Sequence, residues 1–400
     1  MIRRKFLNVM ISFAGTSLIL MLSSKISFAG DILSKICRRL SPPAGPNPDS
    51  RCKDASLPQE GPFISIETAI NSRCTGDYDD DPRKIHWGMF DKDRKLTSTQ
   101  IEHIRKAAII PRFTDASVDI LAENNMLTFT IDNSLTQPVR NAMMIESGMQ
   151  QQAVGLVCAA LGVGYVFRTL GVEGKPLRGK YGTTRTLLEP IKPSYNGAYW
   201  TRKAPSNPHV RISANLTDPT RQGTKPLLDA LAMLKKEKRT GRQATTKDIS
   251  QLLWAARGRT PHFSISSPWG MTIPTYNVRE VTTHVHFISE QGIYRYDNGT
   301  LGIPAHALEL LKNNAVKGIM AIKDQYKPYN ALIVLGTNGS QAKSLWEIGY
   351  QLLNLMLQSH SLDIAYKAIL LNEDQKQTIR IVGIKEPIAA FCIKYPLPTK

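Results

Sequence analysis

The chain is written twice, and that repeat limits its folds more than any single motif does. Leu96-Thr97-Ser98-Thr99-Gln100-Ile101-Glu102-His103-Ile104-Arg105-Lys106-Ala107-Ala108 shares its pattern with Ala244-Thr245-Thr246-Lys247-Asp248-Ile249-Ser250-Gln251-Leu252-Leu253-Trp254-Ala255-Ala256. Each block has a hydroxyl start signal followed by apolar residues at helical spacing. Farther on, residues 127–133 match 292–298, both alternating strands that end in a turn. Glu146-Ser147-Gly148-Met149-Gln150 and Glu347-Ile348-Gly349-Tyr350-Gln351 each open a long apolar helix. Matches in the same order point to two related domains, 63–194 and 225–400, joined by a basic Pro/Gly/Asn-rich connector, 195–224. Each half reads helix, basic joint, helix, strand, hairpin, long buried helix, strand. That order predicts an α+β fold with an antiparallel-type sheet and helices packed on it.

The first 29 residues have the order of an export signal. Arg3, Arg4 and Lys5 precede an apolar run, and Ser27-Phe28-Ala29 offers small residues for cleavage. Arg3-Arg4-Lys5-Phe6-Leu7 resembles the twin-arginine translocation signal, with Lys25 in keeping. A general secretory signal or an uncleaved anchor helix are the alternatives. The twin-arginine route exports folded proteins, which implies a cofactor inserted beforehand and a periplasmic or otherwise extracytoplasmic destination. Residues 30–62 are a Pro-rich tether, and no later segment is long and apolar enough to span a membrane.

With 51 Lys and Arg against 33 Asp and Glu, the chain carries +18, and 42% hydrophobic residues allow a sizeable core. Nucleic acid is an obvious partner for such a charge, but the basic residues are dispersed and no nucleic-acid motif appears. An anionic cofactor, an acidic surface or plain solubility explain the excess as well. The five cysteines, Cys37, Cys52, Cys74, Cys158 and Cys392, show no CxxC and no metal spacing. Cys37 and Cys52 bracket a Pro-rich run and are a candidate disulfide for an exported chain; Cys158 and Cys392 sit in apolar runs.

The chemistry concentrates at Lys238-Arg239-Thr240-Gly241-Arg242, between two helical patterns, 227–236 and the one opened by Thr245. Two guanidinium forks flanking a hydroxyl at a helix–loop–helix joint can grip a phosphate; a solvated basic turn is the bland alternative. The repeat supplies a counterpart, Arg73-Cys74-Thr75-Gly76, with one arginine missing.

Along its second half the chain resembles the nitroreductase-like flavoproteins, and more narrowly the SagB/ThcOx-type dehydrogenase branch. Arg239-Thr240-Gly241-Arg242 stands for the family's Arg-Ser-x-Arg, and Pro274-Thr275-Tyr276-Asn277 for its Pro-Ser-x-Asn loop. Residues 251–256, residues 292–297, the helix from Glu347 and Tyr395-Pro396 follow in family order. The resemblance implies two tandem nitroreductase-like domains folding as an intramolecular pseudo-dimer, with FMN bound non-covalently between them. Arg239, Thr240 and Arg242 would hold the phosphate and ribityl chain. Thr275, Tyr276 and Asn277 would lie beside the ring system, the Asn277 amide bonding a polar edge. Tyr366 and Lys367 fall where further cofactor contacts occur. It also implies ping-pong redox chemistry from a donor to a small-molecule or redox-protein substrate, in a monomeric pseudo-dimer or a homo-oligomer. The first half departs from the pattern: Gly76 stands for the second arginine, and Pro111-Arg112-Phe113-Thr114 replaces the Pro-Ser-x-Asn loop. One flavin site is therefore expected to survive. Tyr276, Arg279, Glu280 and Asp363 depart from the pattern in the second half, so a flavin-free binding or structural relative is the competing expectation.

Other constellations are bland. His284 and His286 alternate on a strand without a third metal ligand, so polar residues on a sheet face is the favoured reading and no metal is expected. Asp79-Asp80-Asp81 lacks the glycine and distal glutamate of a calcium loop.

Overall fold

Three of the helices start on a reciprocal cap, in which a side chain and an amide exchange bonds across the first turn. Thr97 accepts from Gln100 N while the Gln100 side chain returns to Thr97 N; Thr245 and Asp248 do the same, as do Asn372 and Gln375. The computed structural model describes residues 64–73, 96–123, 126–132, 134–161, 163–170, 180–190, 211–212, 216–261, 269–274, 282–300, 304–313, 325–338 and 342–396. The signal, the tether, most of the connector, Cys37, Cys52, Cys74, Gly76 and Asp79 to Asp81 lie outside them.

The helices are α1 (Ile66–Ser72), α2 (Ser98–Ala107), α3 (Gln137–Ala160), α4 (Leu227–Met233), α5 (Thr246–Arg257), α6 (Ala342–Ser361) and α7 (Glu373–Ile381). In the first half β1 (Asp119–Glu123), β2 (Met126–Asp132), β3 (Val163–Leu170) and β4 (Lys180–Pro190) form an antiparallel sheet of order β1-β2-β4-β3. The larger sheet is built from β5 (Arg211–Ile212), β6 (Glu237–Lys238), β9 (Thr283–Ser289), β10 (Gly292–Gly299), β11 (Pro304–Asn313), β12 (Ala331–Thr337), β13 (Tyr366–Leu370) and β14 (Pro387–Ile393). Its order is β5-β11-β10-β9-β12-β14-β13-β6, and β5 alone pairs in parallel. A short ribbon joins β7 (Arg259–Pro261) to β8 (Trp269–Met271). The mixed α and antiparallel-β composition agrees with the sequence reading. Among the described residues no helix is long and apolar enough to cross a membrane.

The helix expected over 227–236 ends at Met233, because Leu234 turns extended (ψ 135°). The chain then runs into β6, whose Lys238 and Glu237 pair with Tyr366 and Lys367. Backbone pairing with a strand more than a hundred residues away overrides the local helical spacing there.

One core runs through both halves: Ile66, Phe129 and Met149 join Trp254, Ile333, Leu353 and Phe391 in a continuous cluster. A second cluster on the other face of the large sheet packs Ile288, Val334, Ile379 and Cys392. The centre of the first cluster is the crossing of α3 and α6. A β-carbon on Gly148 would run into the backbone of Trp346, and one on Gly349 would run into Ile145 and Gly148. Glycine is required there because two backbones touch. Polar bonds flank the crossing: Tyr350 Oη donates to Gln151 Oε1 at 2.8 Å, and Gln152 Nε2 donates to Asn354 Oδ1 at 2.9 Å. At the starts of α1 and α4 the bonding is reciprocal, Ile66 N to Lys225 O at 3.2 Å and Leu227 N to Ile64 O at 2.9 Å. α3 meets α6, and the start of α1 meets the start of α4, along a common seam.

Candidate functional site

The basic joint is pinned before its side chains are considered. Gly241 adopts φ +136°, and a β-carbon there would crowd Asp363 O and Ala365 N. Arg242 N donates to Asp363 O at 2.9 Å, and Ala365 N returns to Arg242 O at 3.4 Å. The turn therefore wraps the C-terminal end of α6, where Asp363 itself takes the left-handed conformation, φ +54°. A glycine usually closes a helix this way. Here the aspartate pays the conformational cost and pairs with Lys238 Nζ at 2.5 Å.

The two arginines differ. The Arg242 guanidinium forks onto Asp248, Nη1 to Oδ2 at 2.6 Å and Nη2 to Oδ1 at 2.8 Å. Asp248 also accepts from Thr245 N and Oγ1, each at 2.7 Å. Burial acts to raise the Asp248 pKa, but the bonds from Arg242 and Thr245 outweigh it and hold the carboxyl below its ordinary value. The same hydrogen bond to Asp248 raises the Arg242 pKa. Arg239 instead stands in solvent, its side chain 84% exposed, with Glu237 at 3.3 Å. Thr240 is exposed beside it. The joint offers one exposed guanidinium that faces Glu237, one exposed hydroxyl and a second fork that is fixed in place but 46% exposed.

Lys367 lies on β13, half-buried and in register with Glu237 on one side and Cys392 on the other. It belongs to the sheet face opposite Tyr366. Tyr366 is buried, stacked on Phe391 at 4.9 Å, and donates to Lys235 O at 2.8 Å. Glu237 is the strand neighbour of Lys367, and its carboxylate meets Arg239 and accepts from Tyr329 Oη at 3.2 Å. Burial pushes the Cys392 thiol up to about 12, with Lys367 acting the other way. Thr275, Tyr276 and Asn277 lie outside the described residues. Arg239, Thr240 and Arg242 are together in one turn; Lys367 lies on the strand that pairs with β6 just before it.

What the sequence reading missed is a crossing between the halves. Arg73, the joint arginine of the first half, is buried and donates to Met271 O at 2.8 Å and Thr272 O at 3.4 Å, in the segment that leads to Pro274. Reciprocally, Lys236 of the second half lies over the Phe113 ring, 5.7 Å from its centre. Phe113 and Thr114 are held in turn by Glu146, which accepts from both their backbone N–H groups. The signal that pointed here was Glu146 and Glu347 at matching places in the repeat.

The histidine pair is close, Nδ1 to Nδ1 3.2 Å, but burial pushes His286 down to about 3, with His284 and Arg295 adding to the effect. No group of three or more metal-binding side chains occurs among the described residues.

No family model and no curated protein matches the chain. Solved structures that resemble it include a protein provisionally described as a nitroreductase from Ralstonia eutropha JMP134, at 23% identity over 48% of this chain and 96% of that one, TM-score 0.36. Another, from Anabaena variabilis ATCC 29413 and described in the same way, has 12% identity over 76% of this chain and 74% of that one, TM-score 0.45. Similarity at this level carries no weight of its own, and the functional reading rests on the residues.

Proposed function

We propose that the chain is an exported FMN-dependent oxidoreductase, its two halves forming an intramolecular pseudo-dimer of nitroreductase-like domains. The observation that carries this reading is the crossing. Arg73 meets the segment before Pro274, and Lys236 meets Phe113, so each half's joint borders the other half's loop. A cleft between domain copies is where a cofactor shared by two halves would bind.

The phosphate end fits FMN. Arg239 and Thr240 are exposed, and Gly241 lets the turn lie flat on the end of α6. Arg239 and Thr240 would hold the phosphate oxygens, and Arg242, oriented by Asp248, would add its exposed edge. The loop of Thr275, Tyr276 and Asn277 would stand beside the ring and Lys367 would add a further contact, as the family resemblance implies. The bound flavin would supply ping-pong transfer of hydride or electrons from a donor to a small-molecule or redox-protein acceptor. The protein's share is placement and positive charge near an anionic group. Export by the twin-arginine route to the periplasm or another extracytoplasmic space belongs to this proposal.

A second reading, a flavin-free binding or structural relative, has its own support. Lys238, Arg239 and Arg242 already face Asp363, Glu237 and Asp248, so the joint's charge is largely neutralised from within. Absorbance of the purified mature protein separates the two. Flavin bands, or their appearance after incubation with FMN, support the oxidoreductase; colourless protein that takes up no FMN supports the second reading.

A further inference from the structure

Glu146 and Glu347 occupy corresponding places in the repeat, yet they hold different things. Glu347 accepts from Arg257 Nη1 at 3.1 Å and from the Thr282 and Thr283 hydroxyls. The repeat places Ile109 where the second half has Arg257, and Ile109 is 75% exposed. Glu146 is just as buried, at 1% exposure, without that guanidinium. Its bonds come from the backbone N–H of Phe113, from Thr114 N at 2.8 Å, and from the Thr114 hydroxyl at 3.4 Å. Burial raises its carboxyl pKa, while the Thr114 and Phe113 amides and the charge of Arg112 oppose the rise. A buried carboxylate must be compensated, and here the compensation comes from a loop. That loop carries the Phe113 ring that lies under Lys236, three residues before Arg239.

We propose that Glu146 is a positioning residue for the anion joint: by clamping the Phe113 and Thr114 amides it fixes the first-half wall of the cleft beside Lys236 and Arg239. The proposal rests on the reading in which that cleft takes FMN, and it adds a residue to which the resemblance gives no role. Glu146 touches neither the joint nor a ligand. It acts through the loop.

The test uses the full mature chain and two variants, Glu146→Gln and Phe113→Ala. Hydrogen exchange read over residues 111–116 measures the clamp without flavin. FMN titration followed by flavin fluorescence measures the consequence. In E146Q the loop amides should exchange about tenfold faster and the FMN dissociation constant should rise about tenfold, as for loss of one charge-assisted bond. Exchange across residues 246–257 should not change, which separates a local release from general unfolding. F113A should weaken FMN while leaving the Thr114 amide protected. Unchanged loop exchange in E146Q overturns the clamp. A faster loop with unaltered FMN affinity overturns the positioning role and leaves the flavin reading standing. If wild type binds no FMN, the flavin reading and the positioning role both fall, whereas the exchange result still decides whether Glu146 holds the loop.

Discussion

Gly349 lies so close to Gly148 that a β-carbon built on it would stand 3.0 Å from the Gly148 Cα. The two glycines sit at the centre of the same pentapeptide pattern in each half, and their contact sets how near α3 and α6 approach. In an isolated helix, replacing either by alanine would help by about 0.5–1 kcal/mol. Here the added methyl meets backbone that cannot move aside. Gly148→Ala and Gly349→Ala should each lower stability by about 1–3 kcal/mol, read from denaturant midpoints. The double variant should cost less than the sum, since one parting of the helices relieves both clashes.

Asp363 supplies a second test of backbone against charge. Its pair with Lys238 is exposed, the carboxylate being 73% accessible, so it adds little. Its φ of +54° is a real cost. Asp363→Gly should leave the melting temperature unchanged or slightly higher. Asp363→Ala should be less stable than Asp363→Gly by about 1 kcal/mol.

Binding and stability should separate at the arginines. Arg239→Ala, at an 84% exposed site, should lose FMN without loss of stability. Arg242→Ala should lose FMN and also destabilise the protein, because it strands the buried Asp248 carboxylate. Arg73→Ala should leave FMN occupancy nearly unchanged but cost about 1–3 kcal/mol, by removing the buried bonds to the Met271 and Thr272 carbonyls. Flavin content and chemical denaturation on the same preparations give both numbers.

Acid should weaken the fold through its buried histidines. Burial pushes His306 down to about 4 and His286 to about 3, against 6.5 for the unfolded side chains. Between those values the unfolded chain binds protons that the folded chain does not, so stability falls as pH drops from 6.5 toward 4. Each histidine contributes a slope of up to about 1.4 kcal/mol per pH unit. Glu146, raised by burial, works in the opposite sense at the acid end. His306→Gln keeps an amide between Ser250 and Tyr296, 2.8 and 2.7 Å from the imidazole nitrogens. It should flatten the dependence measured by melting at pH 7, 6 and 5.

Much of the architecture was legible in the sequence because its signals are local. Thr97 with Gln100, and Thr245 with Asp248, mark helix starts within four residues. The alternation in β10 and the apolar run in β12 marked strands in the same way. Sequence alone also found the turn that carries Arg239, Thr240 and Arg242, since guanidinium and hydroxyl chemistry travels with residue type.

The tertiary structure decided how each of those groups is spent. Lys238 meets Asp363 from 125 positions away, Arg73 meets Thr272 from 199, and Gln151 meets Tyr350 across the seam from 199. Such pairings depend on where the crossing of α3 and α6 sets the two halves, and no short stretch of chain encodes that distance. Spacing along the chain specified the elements; burial and backbone contact between the two halves decided which arginine became a structural clamp and which stayed exposed.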